Sequence, residues 1–370
     1  MSWPMVKLGD VCQITMGQAP SGSFYNEKGQ GYALIAGAGD FGKLNPIPKK
    51  YTTKASKLSK SGDIIICIRA TIGDLNWSDK EYCLGRGVAG LRGKESLYQG
   101  FLWHCLNYNK NVLSSKGIGS TFKQISRNHI EELIIPLPPI EEQKRIAAIL
   151  DKADGIRQKR EQAIKLTDNF LRATFLEMFP QLDDCENRVK LGDIVTLDAP
   201  MVDPREDKFI DLIHIGPDRI EKNTGLLLSA LTAREENLIS KKFLFNENYV
   251  LYSKIRPYLK KCAIPDFGGL CSADMYPVKP ISGKTNREFI WQLLLSDFFT
   301  KYTETLPDRA NIPKLNRKEL LSFELSLPPI PLQEKYKVIV QKTNQAKLII
   351  RKQNINYVLN KLADELFSTN

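Results

Sequence analysis

The sequence predicts an α/β (α+β) protein in which one plan occurs twice, as two globular domains separated by two long antiparallel helices that form a coiled coil. The first observation is a repeat. VKLGD at 6–10 returns at 189–193, a shift of 183, and LPPIEEQKRI at 137–146 returns as LPPIPLQEKY at 327–336, a shift of 190. The second is a set of short apolar runs, broken by Gly, Pro and Asn, in the front part of each copy. The third is a helical period after each Leu-Pro-Pro-Ile segment. A repeat of this length indicates a duplicated domain with a pseudo-twofold relation, not a solenoid.

The apolar runs of the front parts predict strands with turns between them. They are YALIA from Tyr32, DIIICIRA from Asp63, GVAGL from Gly87, DLIHI from Asp211 and YVLYSKI from Tyr249. Residues 100–113 predict a helix among them. Each front part is therefore expected to fold as a mixed globular domain.

Each Leu-Pro-Pro-Ile segment predicts that a helix begins directly after it. Proline is favoured at a helix start, because its φ is already helical and the backbone N–H that it lacks is not used in the first turn. In the first tail, apolar residues recur at spacings of three and four from Ile146 to Phe170, and Pro180 ends the pattern. Residues 141–178 predict a helix of roughly 57 Å. Such a helix, with one narrow apolar stripe, requires a second helix of similar length, and the other tail supplies it. Pairing within the chain is favoured by the short connection after Pro180, and pairing between two chains is the alternative.

These patterns predict four segments. We expect a first domain at 1–138, a first long helix at 139–180, a second domain at 181–328 and a second long helix at 329–370.

Composition predicts a cytoplasmic protein with no membrane partner. No run approaches the roughly 18 uncharged residues that a membrane span needs, and MSWPMVKLGD has no apolar signal region. The seven cysteines form no CxxC pair and their number is odd, so we expect reduced, mostly buried thiols.

The formal net charge of +11 indicates a polyanionic partner, and its distribution is uneven. Residues 1–140 carry 17 basic and 10 acidic side chains, whereas residues 179–330 carry 21 and 22. A nucleic-acid surface on the second copy must therefore be a local cluster.

Catalytic and cofactor motifs are weak throughout. Gly37, Gly39 and Gly42 satisfy G-x-G-x-x-G, but Pro46 and Pro48 break the helix that a dinucleotide site requires, which favours a glycine-rich turn. The Leu-Pro-Pro-Ile segments lack the polar first residue and the final aromatic of the adenine methyltransferase signature. The E-x-K fragment at 206–208 is too short and proline-broken for a nuclease metal site. No histidine has an i, i+4 partner or an acidic neighbour that suggests a catalytic triad, and no Walker A loop occurs. The sequence thus predicts no catalytic, cofactor or metal site.

Basic residues interleaved with aromatic and hydroxyl side chains are the remaining candidates for a function. Five lysines fall within the acid-free segment 49–60, and a shift of 187 superposes Arg69 on Arg256 while the shift of 190 superposes Arg127 on Arg317. Cations of this kind supply affinity for phosphates. The candidate DNA contacts are Lys49, Lys50, Lys54, Arg69, Arg86, Lys123, Arg127, Lys254, Arg256, Lys260, Arg309, Lys314 and Arg317.

Taken together, VKLGD, GSTFKQI, NHIEELIIPLPPIEEQ and a long helix, all repeated, resemble the specificity subunit of type I restriction-modification systems. The second copy departs from the first, with RANIPKLNRKEL in place of GSTFKQISRNHI. The resemblance implies two target recognition domains, each reading one half of a split, asymmetric site in double-stranded DNA. It implies helices that hold the domains apart and bind methyltransferase subunits. It also implies that catalysis lies on partners, with S-adenosylmethionine on the methyltransferase and ATP and magnesium on restriction (translocase) subunits, and that this chain carries no cofactor.

Two other functions remain open from the residues. A self-sufficient DNA methyltransferase or nuclease would need a cofactor or metal site. A coiled-coil adaptor that does not bind DNA would leave the lysine run and the paired arginines without a role.

Overall fold

The computed structural model describes residues 3–119, 123–184, 188–307, 312–352 and 355–367. The chain divides into two compact units, a first unit of Met1–Lys159 with Asn354–Asn370 and a second unit of Arg160–Gln353. Both divisions fall inside the helical tails, so the four predicted segment boundaries stay a prediction.

The first unit contains ten strands and the first helices. Its strands are β1 (Met5–Lys7), β2 (Cys12–Met16), β3 (Tyr25–Asn26), β4 (Tyr32–Ile35), β5 (Lys50–Thr52), β6 (Ile64–Cys67), β7 (Leu75–Trp77), β8 (Cys83–Leu84), β9 (Val88–Gly93) and β10 (Ile134–Pro136). Its helices are α1 (Leu8–Val11), α2 (Gln99–Tyr108), α3 (Lys110–Ser115), α4 (Arg127–Glu131) and the start of α5 (Ile140–Met178).

The second unit repeats this order. Its strands are β11 (Arg188–Lys190), β12 (Val195–Thr196), β13 (Met201–Val202), β14 (His214–Ile215), β15 (Lys242–Phe245), β16 (Val250–Ser253), β17 (Cys262–Ala263), β18 (Gly269–Cys271), β19 (Met275–Pro280) and β20 (Glu324–Ser326). Its helices are α6 (Leu191–Ile194), α7 (Arg287–Leu295), α8 (Asp297–Glu304), α9 (Arg317–Leu321) and α10 (Ile330–Lys352), and α11 (Ile355–Phe367) belongs to the first unit.

In each unit a central strand is buried on both faces. Ile64 and Ile66 of β6 face the larger core, which the helices cover, and Ile65 faces a smaller core toward a second sheet. Successive strand side chains point to opposite faces, so an unbroken apolar run such as IIIC requires cover on both sides. Val250 and Leu251 of β16 divide between two cores in the same way. Each front part is thus three layers of helices, sheet and sheet.

The first sheet has the same antiparallel order in both units, β2-β9-β6-β7 and β12-β19-β16-β17. The second sheet differs, with the order β3-β5-β4-β8 in one unit and β13-β15-β18-β14 in the other. In the first unit β4 lies between β5 and β8, whereas in the second β18 lies between β15 and β14. The second sheet is therefore the part of the domain that the two copies build differently.

A short antiparallel ladder closes each front part next to its helical tail. β1 pairs with β10, with Val6 opposite Ile135, and β11 pairs with β20, with Val189 opposite Leu325. The repeated VKLGD segment is the first strand of this ladder, and its Leu-Gly-Asp begins the four-residue helix that follows.

The repeated glutamine after Leu-Pro-Pro-Ile fastens the start of each long helix. The buried Gln143 side chain donates to Pro138 O and to Ser96 O, each at 2.8 Å, and accepts from Tyr98 N at 2.8 Å. The equally buried Gln333 donates to Pro328 O at 2.7 Å and accepts from Thr285 Oγ1 at 2.8 Å. Buried backbone groups need partners, so this residue type recurs where a helix starts against a domain.

The first tail forms the predicted helix, since α5 covers 39 residues. The second tail, predicted as one helix, contains α10 and α11, and Gln353 and Asn354 lie outside the described residues. Within the second unit the two tails run antiparallel, because Leu171 O accepts from Tyr336 Oη at 3.2 Å while Asp168 pairs with Lys347 further along α10. These contacts join the two tails within the second unit, and the choice between pairing within one chain and pairing between two chains stays a prediction.

The predicted helix at 100–113 is two helices. α2 ends at Tyr108, the side-chain amide of the next residue, Asn109, donates to Cys105 O at 2.9 Å, and α3 begins at Lys110. Asparagine bonds readily to nearby backbone, which ends the helix where the apolar period alone predicts continuation. No helix in the described part of the chain is long and apolar enough to cross a membrane.

Candidate nucleic-acid interface

A cleft of about 460 Å³ opens in the first unit where three turns meet. The turns follow β4, follow β6 and join β8 to β9. We call it the arginine cleft; it is lined by Ala19, Tyr25, Leu34, Ala36, Gly37, Ala38, Gly39, Arg69, Ala70, Thr71, Gly85, Arg86 and Gly87. Among these described residues the charged side chains are two arginines, and none is a carboxylate or an amide. The cleft is therefore a cationic recess whose lining is mostly glycine and alanine.

Arg69 enters the arginine cleft from the turn after β6. Its backbone forms an isolated antiparallel bridge with Gln124, and the next residue, Ala70, donates its N–H to Lys123 O at 3.1 Å. Ala70 has φ of +58°, a left-handed conformation that side chains rarely adopt and that sharpens the turn. The Arg69 side chain is exposed, and within the described residues its guanidinium has no hydrogen-bond or ion-pair partner.

Arg86 enters from the turn between β8 and β9, flanked by two glycines that permit close packing. A Cβ on Gly87 would lie 2.1 Å from Ala36 O, and one on Gly85 would lie 3.0 Å from Ile35 O. The Gly85 N–H donates to Ile35 O at 2.8 Å, which fixes the turn against β4. Like Arg69, the exposed Arg86 side chain has no polar partner in the described structure. Sequence reasoning missed these glycines, although the pattern G-R-G after a strand-like segment was available.

The G-x-G-x-x-G segment is a turn, as predicted. Ala38–Asp40 forms a single 3-10 turn, and Asp40 accepts from Ala36 N at 2.8 Å. What the sequence did not indicate is that Gly37 and Gly39 line the same cleft as the two arginines.

The other candidates of the first unit lie outside the lining of the arginine cleft. Lys49 and Lys50 are exposed at the start of β5, and Lys54 lies over the ring of Phe24 at 5.3 Å. Lys123 is exposed next to the Arg69 bridge. Arg127 forms an ion pair with Glu131, with 2.7 Å between Arg127 Nε and Glu131 Oε1.

Two candidate lysines of the second unit bind carboxylate or carbonyl groups of the same unit. Lys260 pairs with Asp297 and its side chain is 16% exposed. This hydrogen bond lowers the pKa of the Asp297 carboxyl. Lys254 donates to Ala273 O at 2.6 Å and lies 3.7 Å from Asp274. Both ammonium groups are less available to DNA than their sequence context suggests.

Arg256 and Lys314 are the more accessible cations of this unit. Both are exposed, and neither side chain has a polar partner in the described part of the chain. Arg317 donates to Leu197 O at 3.3 Å and is exposed, and Arg309 lies outside the described residues.

The structure corrects the superposition of Arg69 on Arg256. Ile125 N donates to Ile68 O and Leu315 N donates to Lys254 O, so Ile68 corresponds to Lys254. The isolated bridges agree, because Arg69 pairs with Gln124 and Ile255 pairs with Lys314. Arg69 thus corresponds to Ile255, one residue before Arg256. The superposition of Arg127 on Arg317 is confirmed, since each is the first residue of its helix, α4 and α9.

Arg86 also has no cationic counterpart. Gly85 N donates to Ile35 O, and Ser272 N donates to Ile215 O, so the residue equivalent to Arg86 is Ala273. Arg69 and Arg86 therefore project from backbone positions that Ile255 and Ala273 occupy in the second unit, whereas Arg127 and Arg317 correspond.

Acidic side chains approach two histidines, which the sequence did not indicate. His104 lies 2.8 Å from Asp151, and His214 lies 2.7 Å from Glu236, which also pairs with Arg219 at 3.3 Å. Each pair joins residues far apart in sequence, and neither includes a nucleophile.

At the E-x-K fragment, Glu206 pairs with Lys208 at 3.1 Å. The nearby Asp203 accepts hydrogen bonds from Arg205, which lower the pKa of its carboxyl to about 2. Within the described ranges no three His, Cys, Asp or Glu side chains are placed to hold a metal ion.

Comparison with known proteins decides the family. The family model for the type I restriction modification DNA specificity domain matches residues 2–166 and again 187–360. The chain belongs to this family. The two matches correspond to the two copies seen in the sequence, and membership identifies a specificity subunit whose role is DNA recognition.

Individual relatives are similar over different extents. The EcoDI type I restriction enzyme specificity subunit of Escherichia coli is 25% identical over 93% of this chain and 81% of its own length. A putative MjaX type I restriction enzyme specificity subunit of Methanocaldococcus jannaschii is 39% identical over 44% of this chain, and the match spans 40% of that relative. The S subunit of a type I restriction-modification system from M. genitalium has the same fold, with a TM-score of 0.60 at 15% identity over 100% of this chain and 96% of that one.

Proposed function

We propose that each front part of this specificity subunit reads one half of a bipartite, asymmetric double-stranded DNA target. The observation that carries the proposal is the offset between the copies. The turns of a shared backbone frame present Arg69 and Arg86 in one unit and Arg256 and Lys314 in the other, at positions that do not correspond. A protein distinguishes bases by where its hydrogen-bond donors meet the base edges. Two domains with donors at different backbone positions are therefore expected to read different bases.

The long helices set the separation between the two half-sites. Two readers on one face of DNA lie about one helical turn apart, roughly 34 to 36 Å, or a multiple of it. A helix of 39 residues has a length of about 58 Å at 1.5 Å per residue, which suffices when it is inclined to the DNA axis.

Catalysis in this proposal belongs to partner subunits. The helices recruit methyltransferase subunits, which carry S-adenosylmethionine, and restriction (translocase) subunits supply ATP- and magnesium-dependent cleavage. This chain contributes position and sequence choice. Its exposed cations supply affinity through phosphates, and the cleft residues supply discrimination.

Domain exchange tests the proposal. The segment 1–138 is replaced by the corresponding segment of another specificity subunit, and methylated bases are mapped in host DNA in the presence of the modification subunits. We expect a new first half-site, with the second half-site and the spacer unchanged. The reciprocal exchange of 181–328 is the matched control and should change the second half-site alone. A change of both half-sites after one exchange would contradict independent reading.

A further inference from the structure

We propose that the arginine cleft is a guanine reader, so that the half-site recognised by the first unit contains guanine at the bases that Arg69 and Arg86 contact. The inference rests on the proposed function, because it names the bases that this unit selects. It starts from the side chains available in the cleft.

The lining chemistry separates the four bases. In the major groove, guanine offers the acceptors N7 and O6 to a bidentate arginine, adenine is met by Asn or Gln, and cytosine N4 donates to Asp or Glu. The described lining holds two arginines and none of these amides or carboxylates. Thr71 can contact a thymine methyl group but does not discriminate as strongly as a bidentate pair. Of the four bases, guanine is therefore the one that the side chains of the cleft can bind with the strongest hydrogen bonds.

Both guanidinium groups start from fixed backbone, and neither has a polar partner among the residues that the structure describes. The Arg86 turn is held by Gly85 N donating to Ile35 O and by Ile68 N donating to Gly87 O, both at 2.8 Å. The Arg69 turn is held by its bridge to Gln124. The fixed backbone lowers the conformational entropy that the protein loses on binding DNA. Since each guanidinium has no ion pair with a described residue, no such pair has to break before the arginine binds a base.

The walls of the cleft permit close approach. A Cβ added to Gly37 or Gly39 would meet no atom within 4 Å, so open space lies beside this turn. Ala36 and Ala38 flank Gly37, and Tyr25 and Leu34 are the large apolar residues of the lining. A base-pair edge can therefore come near the two arginines from the side of Gly37 and Gly39 without displacing a bulky side chain.

The second unit lacks this arrangement, which makes the inference specific to one half-site. Ile255 and Ala273 stand where the first unit has Arg69 and Arg86. Asp274, 3.7 Å from the Lys254 ammonium, stands at the position of Gly87. The second unit reads its bases with other groups.

The test uses the complete chain assembled with its modification subunits, in the variants Arg69→Lys and Arg86→Lys. Lysine keeps the charge for a phosphate but loses the planar fork. We expect methylated sites to show guanine in the wild-type first half-site. Each variant should lose discrimination at one guanine by about 5- to 150-fold. The remaining positions and the second half-site should not change, which also shows that the variant is folded.

Lys49→Ala is the matched control, since Lys49 is an exposed cation of the same unit outside the cleft lining. It should lower methylation of all sites in parallel and leave the motif as it is. The inference is overturned if the wild-type first half-site holds no guanine on either strand, or if both lysine variants weaken all sites uniformly with an unchanged motif. A bipartite motif without guanine would still support the proposed function, whereas the absence of any motif that depends on 1–138 would refute that function itself.

Discussion

Arg256 of the second unit has the backbone position of Ala70 in the first. Arg256 N donates to Pro313 O at 2.8 Å, as Ala70 N donates to Lys123 O, and both residues are left-handed, with φ of +49° and +58°. The turn is the same and the side chain it carries is different. A position that accepts alanine in one copy therefore carries an exposed arginine in the other for a reason other than the fold.

Replacing Arg256 by alanine should weaken DNA binding without destabilising the protein, because the first copy already holds alanine at this turn. If the guanidinium meets a phosphate, the slope of log K against log salt should fall by about one. Binding titrations at several salt concentrations measure this, and the urea midpoint checks stability. Arg205→Ala is the control, since Arg205 is already paired with Asp203 at 2.7 Å. Equal losses in the two variants would count against a specific role for Arg256.

Lengthening both helical tails should change the spacer of the DNA target. Four residues inserted after Lys159 and four in the second tail add about one turn and 6 Å, close to two base pairs. Mapping of methylated sites should find a longer spacer and the same half-sites. An unchanged spacer with altered half-sites would show that the helices do not set the distance.

Gln143→Ala should destabilise the first unit by about 2–4 kcal/mol, because it leaves buried backbone groups at Pro138, Ser96 and Tyr98 without partners. Gln333→Ala should have a similar effect on the second unit. Urea unfolding compares each with Gln162→Ala, an exposed glutamine of α5, the helix that contains Gln143. Midpoints that match the Gln162→Ala control would refute the role of the repeated glutamine.

The described cysteines should be unreactive in the folded protein. Six are free and buried, and burial raises the pKa of the Cys12 thiol to about 12 and that of Cys105 well above its usual value. In a Cys185→Ser variant, which removes the one cysteine outside the described residues, a thiol reagent at pH 8 should label the protein slowly until denaturant is added. Rapid labelling of the native variant would contradict this burial.

The same thiols predict a decline of stability in alkali. Unfolded thiols ionise near pH 8.5, whereas burial raises the pKa of Cys12, Cys105, Cys262 and Cys271 in the folded protein, so the unfolded state loses protons first. Their contribution is present below about pH 8.5 and is lost as the pH rises toward 12. The free energy of unfolding should therefore fall between pH 8 and pH 10.

The long-period features were predictable from the sequence. The helix expected at 141–178 is found at Ile140–Met178, and the strand-like runs contain β4, β6, β14, β16 and the first four residues of β9. The spacing of apolar residues and the position of prolines depend on neighbouring residues in the sequence. They can therefore be read without knowing the tertiary contacts.

The positions of the cations were not predictable to the residue. The shift between the copies is 183 at VKLGD and 190 at Leu-Pro-Pro-Ile, so residues are inserted in the diverged loops, and one shift of 187 misplaces Arg69 by a single position. Backbone hydrogen bonds set the correct correspondence. Pairs such as Lys260 with Asp297 and His214 with Glu236 join distant segments, which no local pattern contains.

The ladders that close the two front parts have a consequence for inheritance. Because β1 lies beside β10 and β11 beside β20, the chain enters and leaves each front part at one place. Two genetic crossovers, one in each segment of the ladder, would replace everything between them and keep both junctions intact. Under the proposed function, a lineage carrying such a gene acquires a new half-site in one such exchange, without re-evolving the helices or the surfaces to which its partners bind.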